Sequence, residues 1–315
     1  MTVTTAPTLM AVHAHPDDEA SSTGGILSKY SASGIRTVLV TCTNGELGDG
    51  EQGVKPGEPG HDPAAVVATR RRELEASCEL LGVGELELLG YRDSGMMGWP
   101  QNTAPGAFWN VPVDEAAARL GSLIERYRPD VVVTYDERGF YGHPDHIQAN
   151  RITVAALAAT GVPARLYYPA IPSSELARFA EAIERSGIDL PEEVGEDDFD
   201  FAVPDETLAA RVDCTSFADR KFAALAAHAS QDDNAFFLRF GPELFAELFG
   251  VEFFVDATGS KPPPPGQSGP TAPPGQSGQS APPGQSASPG QSRQSSQSSQ
   301  PAGQVRAELF DEVAR

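Results

Sequence analysis

Over roughly the first 170 positions, short apolar runs alternate with segments whose apolar residues recur at helical spacing. Leu9–Ala14, Thr37–Thr43, Leu86–Leu89, Val131–Tyr135 and Arg165–Tyr168 read as strands. Helices are predicted over 19–33, 64–81, 114–127 and 146–160, the second rich in the good helix formers Ala, Arg, Glu and Leu. Strand, helix, strand, helix implies βαβ units. The fold class is therefore α/β, a Rossmann-like, mostly parallel sheet with helices on both faces.

The pattern changes twice further along. Residues 171–258 mix a helix at 173–186, an acidic turn at Glu192–Asp200, a helix at 216–229 and a strand at Val251–Val255. They read as a smaller cap portion on a core of about 1–170, the two making one unit over 1–258. The Gly/Pro/Glu-rich stretch Gly45–Pro63 is long for a loop, either a lid or surface filler. From 259 to 304 the chain is rich in Pro, Gly, Gln and Ser, with Pro-Gly-Gln-Ser at 265–268, 274–277, 283–286 and 289–292. Such a composition buries too little apolar surface to offset ordering entropy, which predicts a disordered tail. Val305, Leu309 and Val313 then recur at spacings of four, predicting a short helix over 305–315.

Charge narrows the function classes. A net charge of -21 and a pI near 4.6 argue against nucleic acid, which demands a basic surface, and against an anionic membrane. Cys42, Cys78 and Cys214 are odd in number and widely spaced, suggesting neither a disulfide framework nor a thiolate zinc site. The first residues carry no basic, apolar leader and no run reaches the roughly 18 apolar residues of a membrane span. A cytoplasmic location is expected.

Chemistry concentrates in two places. "VHAHPDDE" at 12–19 follows the first predicted strand, and "YGHPDH" at 141–146 follows the strand ending at Tyr135. Four of six histidines fall in these segments, both at strand carboxyl ends, where open α/β sheets bind ligands. A catalytic zinc takes three protein ligands and keeps one position for water. His15, Asp18 and His146 would supply that set, although iron, cobalt or nickel would also suit it. Asp17 would be the general base; His143, oriented by Asp145, would donate to a leaving group or an oxyanion. His13 is expected to be buried or to support these ligands. Acids at a helix start would also account for Asp17, Asp18 and Glu19 taken alone. No GxGxxG follows the first strand, which disfavours a dinucleotide site.

Together, "HPDDE" at 15–19 and "HPDH" at 143–146 resemble the PIG-L/LmbE family of zinc-dependent de-N-acetylases, over roughly 8–257. "RDSGM" at 92–96 and "TYDERGFYGHPDH" at 134–146 most resemble its mycothiol-pathway members. The resemblance implies hydrolysis of the N-acetyl group of N-acetylglucosaminyl-inositol, with zinc on His15, Asp18 and His146 and Asp17 as base. It further implies that His143, supported by Asp145, and Tyr141 stabilise the tetrahedral intermediate. Arg70, Asp93 and Met96 would meet the substrate, with Gln231 of "HASQ" a further pocket residue. Ser22 and Gly142 stand where the related S-conjugate amidases carry Lys and Pro, favouring the deacetylase pattern. The rival readings are that amidase, a deacetylase of another amino-sugar glycoside, and a non-catalytic scaffold whose "PPPPGQ" at 262–267 binds a protein partner as a polyproline II ligand.

Overall fold

The computed structural model describes residues 6–188, 201–262 and 305–311. Strands β1 (Thr8–His13), β2 (Arg36–Thr43), β3 (Glu85–Tyr91), β4 (Val131–Val133) and β5 (Arg165–Ala170) pair in parallel in the order β3-β2-β1-β4-β5. Alternate β1 side chains enter opposite layers. Met10 and Val12 pack under α3 (Val113–Tyr127) and, past the one-turn α4 (Gly139–Gly142), α5 (Pro144–Thr160). Leu9 and Ala11 pack under α1 (Asp18–Ala32) and α2 (Pro63–Leu81). Burial on both faces explains why these strands read as unbroken apolar runs.

The portion read as a cap adds strands to the sheet itself. After α6 (Ser173–Ser186), β6 (Ala210–Asp213) and β7 (Val251–Asp256) join the same sheet, β7 antiparallel to β5 and β6 antiparallel to β7. Between them α7 (Ala218–Ala227), α8 (Asp232–Leu238) and α9 (Gly241–Phe249) extend the layer over α1 and α2. One buried carboxylate ties this portion to α1. Glu252 accepts the N–H groups of Gly25 and Ile26 at 2.8 and 2.9 Å and pairs with Lys221 at 2.8 Å. A Cβ on Gly25 would lie 2.7 Å from Glu252, so that approach needs glycine. Glu252→Ala would strand a buried ammonium and two amides; a loss of about 3–5 kcal/mol is expected in urea unfolding.

One further expectation changes, and one open alternative is narrowed. Over the described part of the helix expected at 305–315, residues 305–311 form a β-bridge and a turn instead, because Arg306 pairs with Ala210. The 45–63 loop is pinned. Gln231 Oε1 accepts the Asp49 N–H, Lys55 pairs with Asp49 and Asp232, and the His61 ring meets the Gly48 carbonyl. The repeats from 263 to 304 and the acidic turn at 192–200 lie outside the described residues.

Candidate metal and catalytic site

Strands β1 and β4 are neighbours, and the order of connection reverses between them, so their carboxyl ends open a crevice. Both motifs emerge there. Pro16 breaks β1, and α1 starts at Asp18. Asp17 has φ 105°, a left-handed conformation costly for a side chain other than glycine. It is held by its N–H to Glu19 (3.0 Å), its carbonyl accepting from Ala20 and Ser21, and its carboxylate to Arg70 (3.1 Å). On the facing side His143 caps α5, its Nδ1 accepting the Asp145 N–H at 3.1 Å. Asp145 and His146 therefore sit in the first turn, buried.

Asp18 joins the two motifs. It accepts the His15 backbone N–H at 2.7 Å, and its two oxygens lie 3.4 Å from His15 Nδ1 and 3.5 Å from His146 Nε2. Ligand atoms of a tetrahedral zinc with bonds of about 2.0–2.1 Å stand roughly 3.3 Å apart. His15 Nε2 is 3.3 Å from Asp145 and 3.8 Å from Asp93. His146 is 2% exposed, yet neither of its ring nitrogens has a hydrogen-bond partner, and Asp145 Oδ1 has none either. Unpaired buried polar atoms are costly, and a divalent cation would satisfy the imidazole. Two sets of donors fall within 4.8 Å of one another: single nitrogens of His15, His143 and His146, and one donor each of His15, Asp93 and Asp145. The Asp18 carboxylate lies between His15 and His146, one oxygen towards each ring, while His143 Nδ1 accepts the Asp145 N–H.

The crevice shifts its ionisable groups in both directions. Burial works against the Asp18 charge, but His146 and His15 hold its carboxyl well below the usual range. His15 is held well above its ordinary value, against burial, by Asp93, Asp145 and Asp18. Burial drives His146 down to about 4, with His15 adding to the effect. Burial, then His15 and His146, drive His143 down, so this ring is neutral. With Nδ1 accepting, its proton sits on Nε2. Burial lifts Asp17 to about 6 against the pull of Arg70.

Residues 10–157 match the family model PIG-L, GlcNAc-PI de-N-acetylase. The chain is 43% identical over 265 residues to 1D-myo-inositol 2-acetamido-2-deoxy-alpha-D-glucopyranoside deacetylase of Acidothermus cellulolyticus, covering 81% of this chain and 90% of that one. The chain belongs to the PIG-L family. The enzyme of the same name from Salinispora arenicola is 42% identical, over 85% of this chain and 91% of its own. Among solved structures, N,N'-diacetylchitobiose deacetylase of Pyrococcus horikoshii superposes with a TM-score of 0.50 at 21% identity, covering 80% and 82% of the two chains. The 4-carboxy-2-hydroxymuconate hydratase of Pseudomonas putida gives 0.52 at 19%, covering 79% and 95%. These two establish the fold alone, since a deacetylase and a hydratase share it.

Within this PIG-L protein the expected residues separate. His15, Asp17, Asp18, His143, Asp145 and His146 come together, with Tyr141 half exposed at the rim, its ring 5.0 Å from that of His146. Ser22 lines the cavity beside Asp17 and Asp18. Asp93 is buried, accepts the Gly95 N–H and faces His15, whereas Met96 is 38% exposed. Three placements differ from expectation. The Asp145 carboxylate meets His15 and the Ser94 N–H, not the His143 ring, because the first helical turn points it across the crevice. Arg70 is buried behind Asp17, bonding the Pro16 and Gly45 carbonyls. Gln231 fastens the 45–63 loop and does not line the cavity.

Two groups escape a reading of the motifs. Tyr135 stacks on His146 at 4.0 Å and accepts the Ala14 N–H at 2.9 Å, fixing that ring against β1. Glu19, fully buried, accepts from Asp17 N–H, Ser77 and His228 Nε2 (2.7 Å), and so secures the strained residue from below. His13 is buried against Thr23 and Tyr135. Burial opposes the His228 charge, but Glu19 raises its pKa overall. The raised value means the stabilisation is complete below about pH 6.5, the unfolded value, and is lost as pH rises through the folded value. His228→Gln should therefore cost most at pH 6 and least at pH 9, read as urea midpoints against wild type.

Proposed function

We propose that this chain hydrolyses the N-acetyl group of N-acetylglucosaminyl-inositol with zinc held by His15, Asp18 and His146. The observation that carries the reading is the pair of Asp18 contacts to both imidazoles, with the Asp17 carboxylate at the adjoining position. A relative 43% identical over 90% of its own length, named for that substrate, supports the choice of amide. When bound, zinc polarises an amide carbonyl and lowers the pKa of water towards about 7. Asp17, braced by Arg70, takes the proton of the attacking water. His143 presents its Nε2–H to the carbonyl oxygen as it becomes an oxyanion, and Tyr141 adds its hydroxyl from the rim. The C–N bond then breaks, acetate leaves, and a proton from Asp17 or His143 completes the amine. Asp145 orients His15 through Nε2–H, leaving Nδ1 for the cation, the carboxylate–histidine–metal arrangement. Asp145→Asn should weaken metal binding about 10–100-fold in chelator competition.

One observation favours a second reading, hydrolysis of a bulkier conjugate amide or glycoside. A cavity of about 610 Å³ begins at Asp17, Asp18 and His146 and continues between Phe179, Phe236 and Phe249, more apolar room than an acetyl group needs. Amine release from N-acetylglucosaminyl-inositol, measured beside the S-conjugate amide and another N-acetylglucosaminide, decides between them. A higher kcat/KM on the first supports the proposal, and a preference for either of the others replaces it. Three free, buried cysteines suit the reducing cytoplasm, where we place the enzyme.

A further inference from the structure

Residues 305–311 return to the body of the protein far along the sheet from the metal crevice and settle on its β6 edge. Arg306 pairs with Ala210 in parallel, donating its N–H to the Ala209 carbonyl and accepting from Arg211 N–H, both at 2.8 Å. Its guanidinium meets Asp256 and the Tyr167 hydroxyl at 3.1 Å. Glu308 pairs with Lys29 and accepts from the Tyr30 hydroxyl at 3.0 Å. Leu309 is fully buried in the layer over α1, its N–H donating to Tyr30 at 2.9 Å, and Phe310 packs edge-on against the Tyr30 ring.

We propose that the groove between the β6 edge and α1 is a peptide-recognition site for an Arg-x-Glu-Leu-Phe segment, filled in cis by the chain's own residues 305–311 and exchangeable. The contacts are a minimal form of strand addition: one backbone bridge on the edge strand β6, with side-chain seats that specify the sequence. Each seat is distinct. Arg306 has a carboxylate, Glu308 an ammonium and a phenol, and Leu309 an apolar pocket. Chain length supports exchange. Arg306 touches Asp256, only six residues before Pro262, so the ends to be joined are at most a few tens of ångströms apart, roughly 3.5 Å per residue. A short turn would have sufficed, yet residues 263–304 supply 42. A tether presents such a segment at on the order of a millimolar, so an intrinsic Kd of about 10 µM would leave roughly 99% of it seated. Seating also closes the sheet edge, which otherwise offers unpaired backbone groups to other chains.

A protease site introduced between residues 263 and 304 of the full chain tests this. After cleavage at about 100 µM protein, roughly tenfold above that Kd, sedimentation of the undiluted mixture should find most of the C-terminal fragment still bound, one per body. Labelled peptide 303–315 should then exchange into it. Leu309→Asp, which places a charge in the apolar seat, should raise the protein concentration needed to retain the fragment by about tenfold or more, and Glu308→Gln less so. Circular dichroism and amine release from the cleaved body verify that it stays folded, so a lost fragment reports lost recognition. Release from wild type and Leu309→Asp alike overturns the proposal. Uncleaved chain forming dimers that Leu309→Asp dissolves overturns the cis seating.

Discussion

Asp17→Asn should lower kcat by about 10²–10⁴-fold, the usual contribution of a positioned general base, while metal content stays at the wild-type level. The substitution is chosen for what it preserves. Asparagine tolerates positive φ, so the 105° conformation survives, and its amide oxygen still accepts from Arg70. Only the capacity to take a proton is removed. Wild-type kcat/KM should also decline on the acid side, because burial lifts Asp17 to about 6 and the protonated carboxyl is no base. In Asp17→Asn the residual rate should lose that acid limb. Amine release across pH 5–8 reads both effects. A variant with wild-type turnover, or an unchanged acid limb, removes Asp17 from the role of base.

What could be read from the sequence was what local chemistry encodes. The five parallel strands showed as apolar runs because both faces are covered, and the two His/Asp motifs showed because a strand end seldom needs such charge for stability. Their meeting followed from topology, since β1 and β4 are adjacent. The rest depends on distant partners. In 230–250 the phenylalanines face several ways, which hides the period of α8 and α9, and β6 has only four residues whose partner lies some forty positions on. Arg70 left a usable signal: Val66, Arg70, Leu74, Cys78 and Leu81 follow the buried stripe of α2, which separates it from its exposed neighbours Arg71 and Arg72. Nothing near His228 points to Glu19, which lies 209 residues away. The helix over 305–315 was misread because apolar residues at spacings of four also suit a segment whose single buried Leu309 reaches back to α1.

The neighbouring aspartate should behave in the opposite way. As the proposed ligand lying between His15 and His146, Asp18 should be needed for the cation: Asp18→Asn should lose it, and turnover should fall below detection even with excess zinc. The amide oxygen of Asp18→Asn can still accept the His15 backbone N–H, so the turn at 15–18 keeps its shape and the loss is not one of folding. Stability gives an independent readout. A ligand that binds only the folded chain stabilises it by about 4 kcal/mol at a thousandfold excess over Kd, which for a domain of this size raises Tm by roughly 10 °C. Wild type should lose that increment on chelation and regain it with zinc. Asp17→Asn should keep the whole shift and Asp18→Asn none of it. The two substitutions fall on adjacent residues and remove the same charge, so no general electrostatic effect can produce opposite results. Loss of the shift in Asp17→Asn with retention in Asp18→Asn would exchange the roles of base and ligand. Loss in neither would move the cation to a donor set without Asp18, either His15, His143 and His146 or His15, Asp93 and Asp145.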